Sequence, residues 1–123
     1  MATEQPGFME SVITQSDLTA KQFSLLTPTA VAGQCALAGA GNLVAGVNQD
    51  TPKALQVANI CVNGVSKVVV GAAGGIAAGA LLASDAAGRA ITAATGQYVF
   101  GIAREGGVAG QIISARLLSP AKA

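Results

Sequence analysis

Histidine and tryptophan are absent from this sequence, and the aromatic residues amount to three phenylalanines and one tyrosine in 123 residues. Without histidine the chain lacks the side chain that ordinarily titrates near neutral pH and the commonest metal ligand. Charge is also sparse, with seven basic and six acidic residues and a net charge of +1. Lys21, Lys53, Lys67, Arg89, Arg104, Arg116 and Lys122 are spread almost evenly. Nucleic-acid binding needs clustered cations that displace counterions, so no nucleic-acid partner is expected, and the same spread disfavours an anionic membrane surface. The acids Glu4, Glu10, Asp17, Asp50, Asp85 and Glu105 form no paired-carboxylate or calcium-loop pattern. No serine or cysteine has the setting of a nucleophile elbow. An enzyme, a metal and a cofactor are therefore not expected. Cysteine is limited to Cys35 and Cys61, without a CxxC. A disulfide framework normally needs four or more, so these read as two buried thiols in a reducing compartment. The N-terminus carries two acids and no apolar core segment of a secretion signal.

The sequence instead holds a large amount of small apolar mass, 51% hydrophobic and mostly Ala, Val, Leu and Ile. Such a core is thin, and at roughly 25 cal/mol per Å² of buried apolar area its margin is small, which makes oligomerisation a natural supplement. The stretch VVVGAAGGIAAGALLAS, residues 68–84, has no charge. As a membrane-associated helix it would be short of the ~20 apolar residues needed to span, and glycines interrupt it, although Gly75 and Gly79 form a GxxxG. As a phosphate loop it lacks both GxxxxGK[ST] and GxGxxG. Divided at its glycines, it reads as a β-branched strand, a glycine-rich return and a short strand ALLAS. SDAAGRAI then forms a turn in which Asp85 bonds the following backbone and Gly88 accepts positive φ.

The same logic predicts short strands at 23–27, 42–49, 55–62, 96–104 and 110–118. Asn63-Gly64 is the sharpest hairpin signal, again with positive φ at the glycine. Short strands at this spacing predict an all-β fold, a small antiparallel barrel or sandwich. LVAGVNQD (43–50) is echoed by YVFGIARE (98–105), which suggests a curved sheet of two similar halves, each bent at a glycine. Residues 1–20 lack turn punctuation and are expected to form an extended N-terminal arm beside a β-rich domain of 21–123. Phe8, Met9, Val12 and Ile13 in that arm are the candidate anchors for a partner, and the arm is expected to add little to the domain's own stability.

The order VAGVNQD, NGVSKVVVGAAGGIAAGALLASDAAGRAI, YVFGIARE, GQIISARLL resembles the capsid decoration, or cement, proteins of tailed bacteriophages. The matching pieces are Ile76–Leu82, Ser84–Ala90 and Gly101–Ala103, within residues 40–118. The resemblance implies a compact β-rich protein without an active site, often a homotrimer. It would be made in the host cytoplasm and added to the outer surface of the head, where it braces the major capsid protein lattice. Many such proteins are markedly acidic, and this chain is near neutral. The rival readings are a membrane-associated protein built on a helix at 68–84 and a small-ligand-binding barrel.

Overall fold

The structure is a computed structural model that describes residue 2, residues 5–71 and residues 75–123. Its described residues contain nine strands and no helix: β1 (Gln5–Thr14), β2 (Leu25–Pro28), β3 (Gln34–Leu37), β4 (Gly46–Asn48), β5 (Val57–Val69), β6 (Leu81–Ser84), β7 (Ala90–Thr92), β8 (Tyr98–Ala103) and β9 (Ile112–Lys122). They form one sheet in the order β1-β3-β2-β4-β5-β9-β8-β6-β7, with β1 also paired to β5. The fold is all-β. The helix alternative at 68–84 is overturned: Val57–Val69 and Leu81–Ser84 are strands, and no helix is long and apolar enough to cross a membrane. Residues 72–74 of that stretch lie outside the described residues.

The pairing pattern resolves into two copies of one unit. In the first, β1 runs antiparallel to β5 from Ile13↔Val57 to Gln5↔Val65 and meets β3 in parallel at Thr14↔Cys35. β3 pairs β2, β2 pairs β4 and β4 pairs β5, so the pairings return to their start. In the second unit the far half of β5 takes the place of β1. It pairs β9 from Val69↔Ile112 to Gly64↔Leu117, while β9 pairs β8, β8 pairs β6 and β6 pairs β7. A single parallel bridge, Val70↔Ala90, stands where Thr14↔Cys35 stands in the first unit. Val47↔Cys61 recurs as Ile102↔Arg116, a displacement of 55 residues. Leu26↔Leu37 recurs as Leu82↔Thr92, displaced by 56 and 55, because the turn after β2 is one residue longer. β5 therefore belongs to both units.

Each unit has its own interior, built by strand alternation, which sends every second side chain inward. Leu18, Leu26, Cys35, Ala58 and Ile60 cluster in the first, with Val12 packed against them. The counterparts of Val12, Leu26, Cys35, Ala58 and Ile60 are Val68, Leu82, Ala90, Ile113 and Ala115, all within one cluster in the second. Ala58 and Ile60 thus exchange sizes with Ile113 and Ala115, which conserves volume in a tightly packed interior. The echo of 43–50 in 98–105 marks the equivalent strands β4 and β8. Gly46 and Gly101 are needed there because a Cβ would lie 2.8 Å from the Cys61 carbonyl oxygen and 2.6 Å from that of Arg116.

Two sequence expectations are corrected. Asn63-Gly64 makes no hairpin: the chain runs straight through it, and β5 changes partner there from β4 to β9. Gly64 does have positive φ, +86°. That conformation serves an irregularity where the β1 register shifts between Pro6 and Met9, so the left-handed glycine sits in a bulge instead of a turn. Residues 5–14 do not stand apart as an arm. They are a ten-residue strand bonded along β5, and their buried Thr14 donates its hydroxyl to the Ser16 carbonyl (2.9 Å) and its backbone N–H to that of Gln56 (3.0 Å).

Candidate docking surfaces

Pairing with β5 fixes which anchors of β1 reach the surface. Phe8 is 56% and Met9 44% exposed, while Val12 and Ile13 are half-buried. Val12 packs on the Leu26/Ile60 cluster, so the four residues are divided between the outside and the interior. Beside β1 lies a groove of about 440 Å³ at the junction of the two units. Glu10 and Arg116 give its walls opposite charges, and Val62, Phe100 and Leu118 line it with apolar surface.

The turn at 85–89 is built as the residues dictate. Asp85 Oδ1 accepts from the backbone N–H groups of Ala87 (2.8 Å) and Arg89 (2.9 Å), and Gly88 has φ +72°. Arg89 Nε lies 3.3 Å from Asp85 Oδ2, an ion-pair contact without hydrogen-bond geometry. Gly88 presses on the first unit: its carbonyl accepts from Leu25 N–H at 2.7 Å, and a Cβ there would lie 2.6 Å from Leu37 Cδ1.

Both cysteines are buried thiols outside any disulfide. Burial, with the Glu10 charge second, pushes the Cys35 thiol above its ordinary value, and Cys61 Sγ donates to the Asn63 carbonyl. Among the described residues no three His, Cys, Asp or Glu side chains group as metal ligands.

Sequence reasoning missed an outward-facing row across the second unit: Leu81, Ile102 and Arg116, joined in register across β6, β8 and β9. The internal repeat is the signal that could have found it, because its counterparts are Leu25, Val47 and Cys61. The units also differ in charge. Residues 1–60 carry Glu4, Glu10, Asp17 and Asp50 against Lys21 and Lys53, a net of −2. Residues 61–123 carry Lys67, Arg89, Arg104, Arg116 and Lys122 against Asp85 and Glu105, a net of +3.

This arrangement of strands has a counterpart among solved structures. The crystal structure of the N base of the head fiber gp8.5 in bacteriophage phi29 superposes with a TM-score of 0.72, covering 94% of this chain and 98% of that one. The chain has the fold of a phage head fiber base. Identity over the match is 16%, so the likeness is one of fold. No protein-family model matches the sequence, and no curated protein matches it.

Proposed function

We propose that this chain is a structural protein of a tailed-phage head, a homotrimeric decoration or cement protein. It would bind the outer surface of the capsid and stabilise the lattice of the major capsid protein. The observation that carries this reading is the end-to-end likeness to a head fiber base, which spans nearly all of both chains. The order of motifs from VAGVNQD to GQIISARLL supports it independently. So does the exposure of Phe8 and Met9 on a strand that the sheet already holds extended. An anchor ordered before binding loses little chain entropy on docking, and each side chain contributes about 1–3 kcal/mol when fully buried. Three copies engaged together add avidity to weak single contacts.

The test is co-sedimentation of the purified full-length chain with expanded heads that lack it. The chain is expected to pellet with the heads, and a Phe8→Ser/Met9→Ser variant to lose about tenfold or more in affinity. Failure of the unaltered chain to pellet would overturn the head-binding reading. Equal binding by the variant would move the docking surface away from β1.

A further inference from the structure

We propose that copies of this protein associate head to tail, the Leu81–Ile102 face of one receiving the turn at residues 28–34 of the next. This deepens the oligomer reading above by naming the contact that joins the copies.

The chain contains its own precedent for such a contact. The row Leu25, Val47 and Cys61 points away from the first unit's interior, yet all three side chains are fully buried. They share one apolar cluster with Val68, Leu82 and Ala90 of the second unit, and the 85–89 turn is seated beside them through the Leu25 N–H to Gly88 carbonyl bond. The same row in the second unit is Leu81, Ile102 and Arg116. Leu81 is 47% exposed where Leu25 is 0%. A row that buries completely in one unit, and in the other leaves Leu81 and Arg116 exposed and Ile102 half-buried, is a free stacking face.

The occupant is argued from the same repeat. The counterpart of the seated 85–89 turn is the turn at 28–34, where residues 28 and 30–33 are exposed. Gly33 has φ +74° where Gly88 has +72°, so the two turns share their left-handed step. At the tip of 28–34 is Val31, 50% exposed and flanked by the exposed Ala30 and Ala32. Glu10 lines the recess beside this turn. On the receiving face, Arg104 and Arg116 line one recess with Val65, and neither has an ion-pair partner among the described residues. The acidic first unit of one copy therefore meets the basic second unit of another, apolar centre to apolar centre. Because the two faces differ, the contact is heterologous: it closes into a ring of three if the rotation allows, and otherwise extends as a chain.

The experiment uses sedimentation equilibrium of the full chain with no heads present, so its failure is separate from failure of head binding. Both altered residues are exposed, and circular dichroism with thermal melting checks that the variants keep the fold. Unaltered protein is expected to sediment as an oligomer, and Leu81→Asp and Val31→Asp each as the 12.0 kDa monomer. Each variant retains one intact face, so an equimolar mixture is expected to form a species of twice that mass and nothing larger. Arg104→Glu should weaken association, with recovery when mixed with Glu10→Lys. A monomeric unaltered protein, a Leu81→Asp variant that still assembles, or a mixture that stays monomeric would each overturn the proposal.

Discussion

Among the described residues, two without glycine's freedom occupy left-handed backbone, Phe23 at φ +65° and Leu55 at +66°, and the internal repeat explains both positions. Their counterparts in the second unit are Gly79 (+85°) and Gly110 (+88°). A branched or aromatic side chain in this region costs about 1–2 kcal/mol, so the first unit holds strain that the second has discarded. The surrounding turn holds Leu55 there. Gln56 Oε1 accepts from Lys53 N–H at 2.9 Å, as Gln111 Oε1 does from Val108 N–H at the same distance. Leu55 is 70% exposed and contributes little burial. Leu55→Gly should therefore raise stability by about 0.5–1 kcal/mol, the strain relieved less the added freedom of the unfolded chain. Urea unfolding reads it, and a loss of stability would contradict the strain. Phe23→Gly should do the opposite, because Phe23 packs on the core and lies under Lys67 Nζ, 5.7 Å from the ring centroid. Glu105 gives a pH-dependent counterpart. Its carboxylate accepts from Ser114 N–H at 2.9 Å, which holds its pKa below the ordinary 4.5. A depressed carboxylate contributes stability that is present above its ordinary pKa and lost as pH falls through the lower, folded value. Glu105→Gln should flatten the acid limb of a stability-against-pH curve in that window, and an unchanged limb would show that the bond does not matter.

Strands show the repeat as exchanged sizes. Ile60→Ala should leave a cavity and cost about 2–4 kcal/mol. Ala58→Ile/Ile60→Ala copies the arrangement of Ile113 and Ala115 and should recover a substantial part of that loss. A double variant no better than the single would mean that the two interiors are not equivalent in packing. Gly101→Ala should cost about 1–3 kcal/mol, since its Cβ would meet backbone and not a movable side chain. Much at this scale was legible in the sequence. β-branched VVV, the short strand at 81–84, the Asp85/Gly88 turn and the 43–50 echo all express local rules that the fold obeys. What was not legible depends on pairing partners distant in the chain. Asn63-Gly64 has hairpin chemistry, but β1 on one edge and β4 then β9 on the other hold β5 straight. QCAL at 34–37 and AIT at 90–92 are too short for a period. Residues 5–14 look like a tail because their partner lies fifty residues downstream. For the same reason the candidate anchors were only half readable: side-chain type marks Phe8, Met9, Val12 and Ile13 alike, and the pairing with β5 decides which of them point outward.

At the scale of the whole molecule, β5 decides behaviour because neither unit is complete without it. Its near half closes the first ring of pairings and its far half opens the second, so loss of one unit removes a wall of the other. A single cooperative transition is expected, with calorimetric and van't Hoff enthalpies equal. Two resolved transitions would show that the units fold separately. The same strand sets how the protein bears load. β1 and β9 both lie antiparallel to β5, so Gln5, opposite Val65, leads out at one end of it. β9, after passing Gly64 at Leu117, leads out at the other through Lys122. Tension applied between those two ends pulls β1 and β9 in opposite directions along β5. The hydrogen bonds of both ladders lie across the direction of pull and are strained together, as a lap joint is, where a peeled hairpin would release them one at a time. Under the head-binding proposal the load would be a stretching of the shell, and a clip anchored at those two ends would resist it in shear.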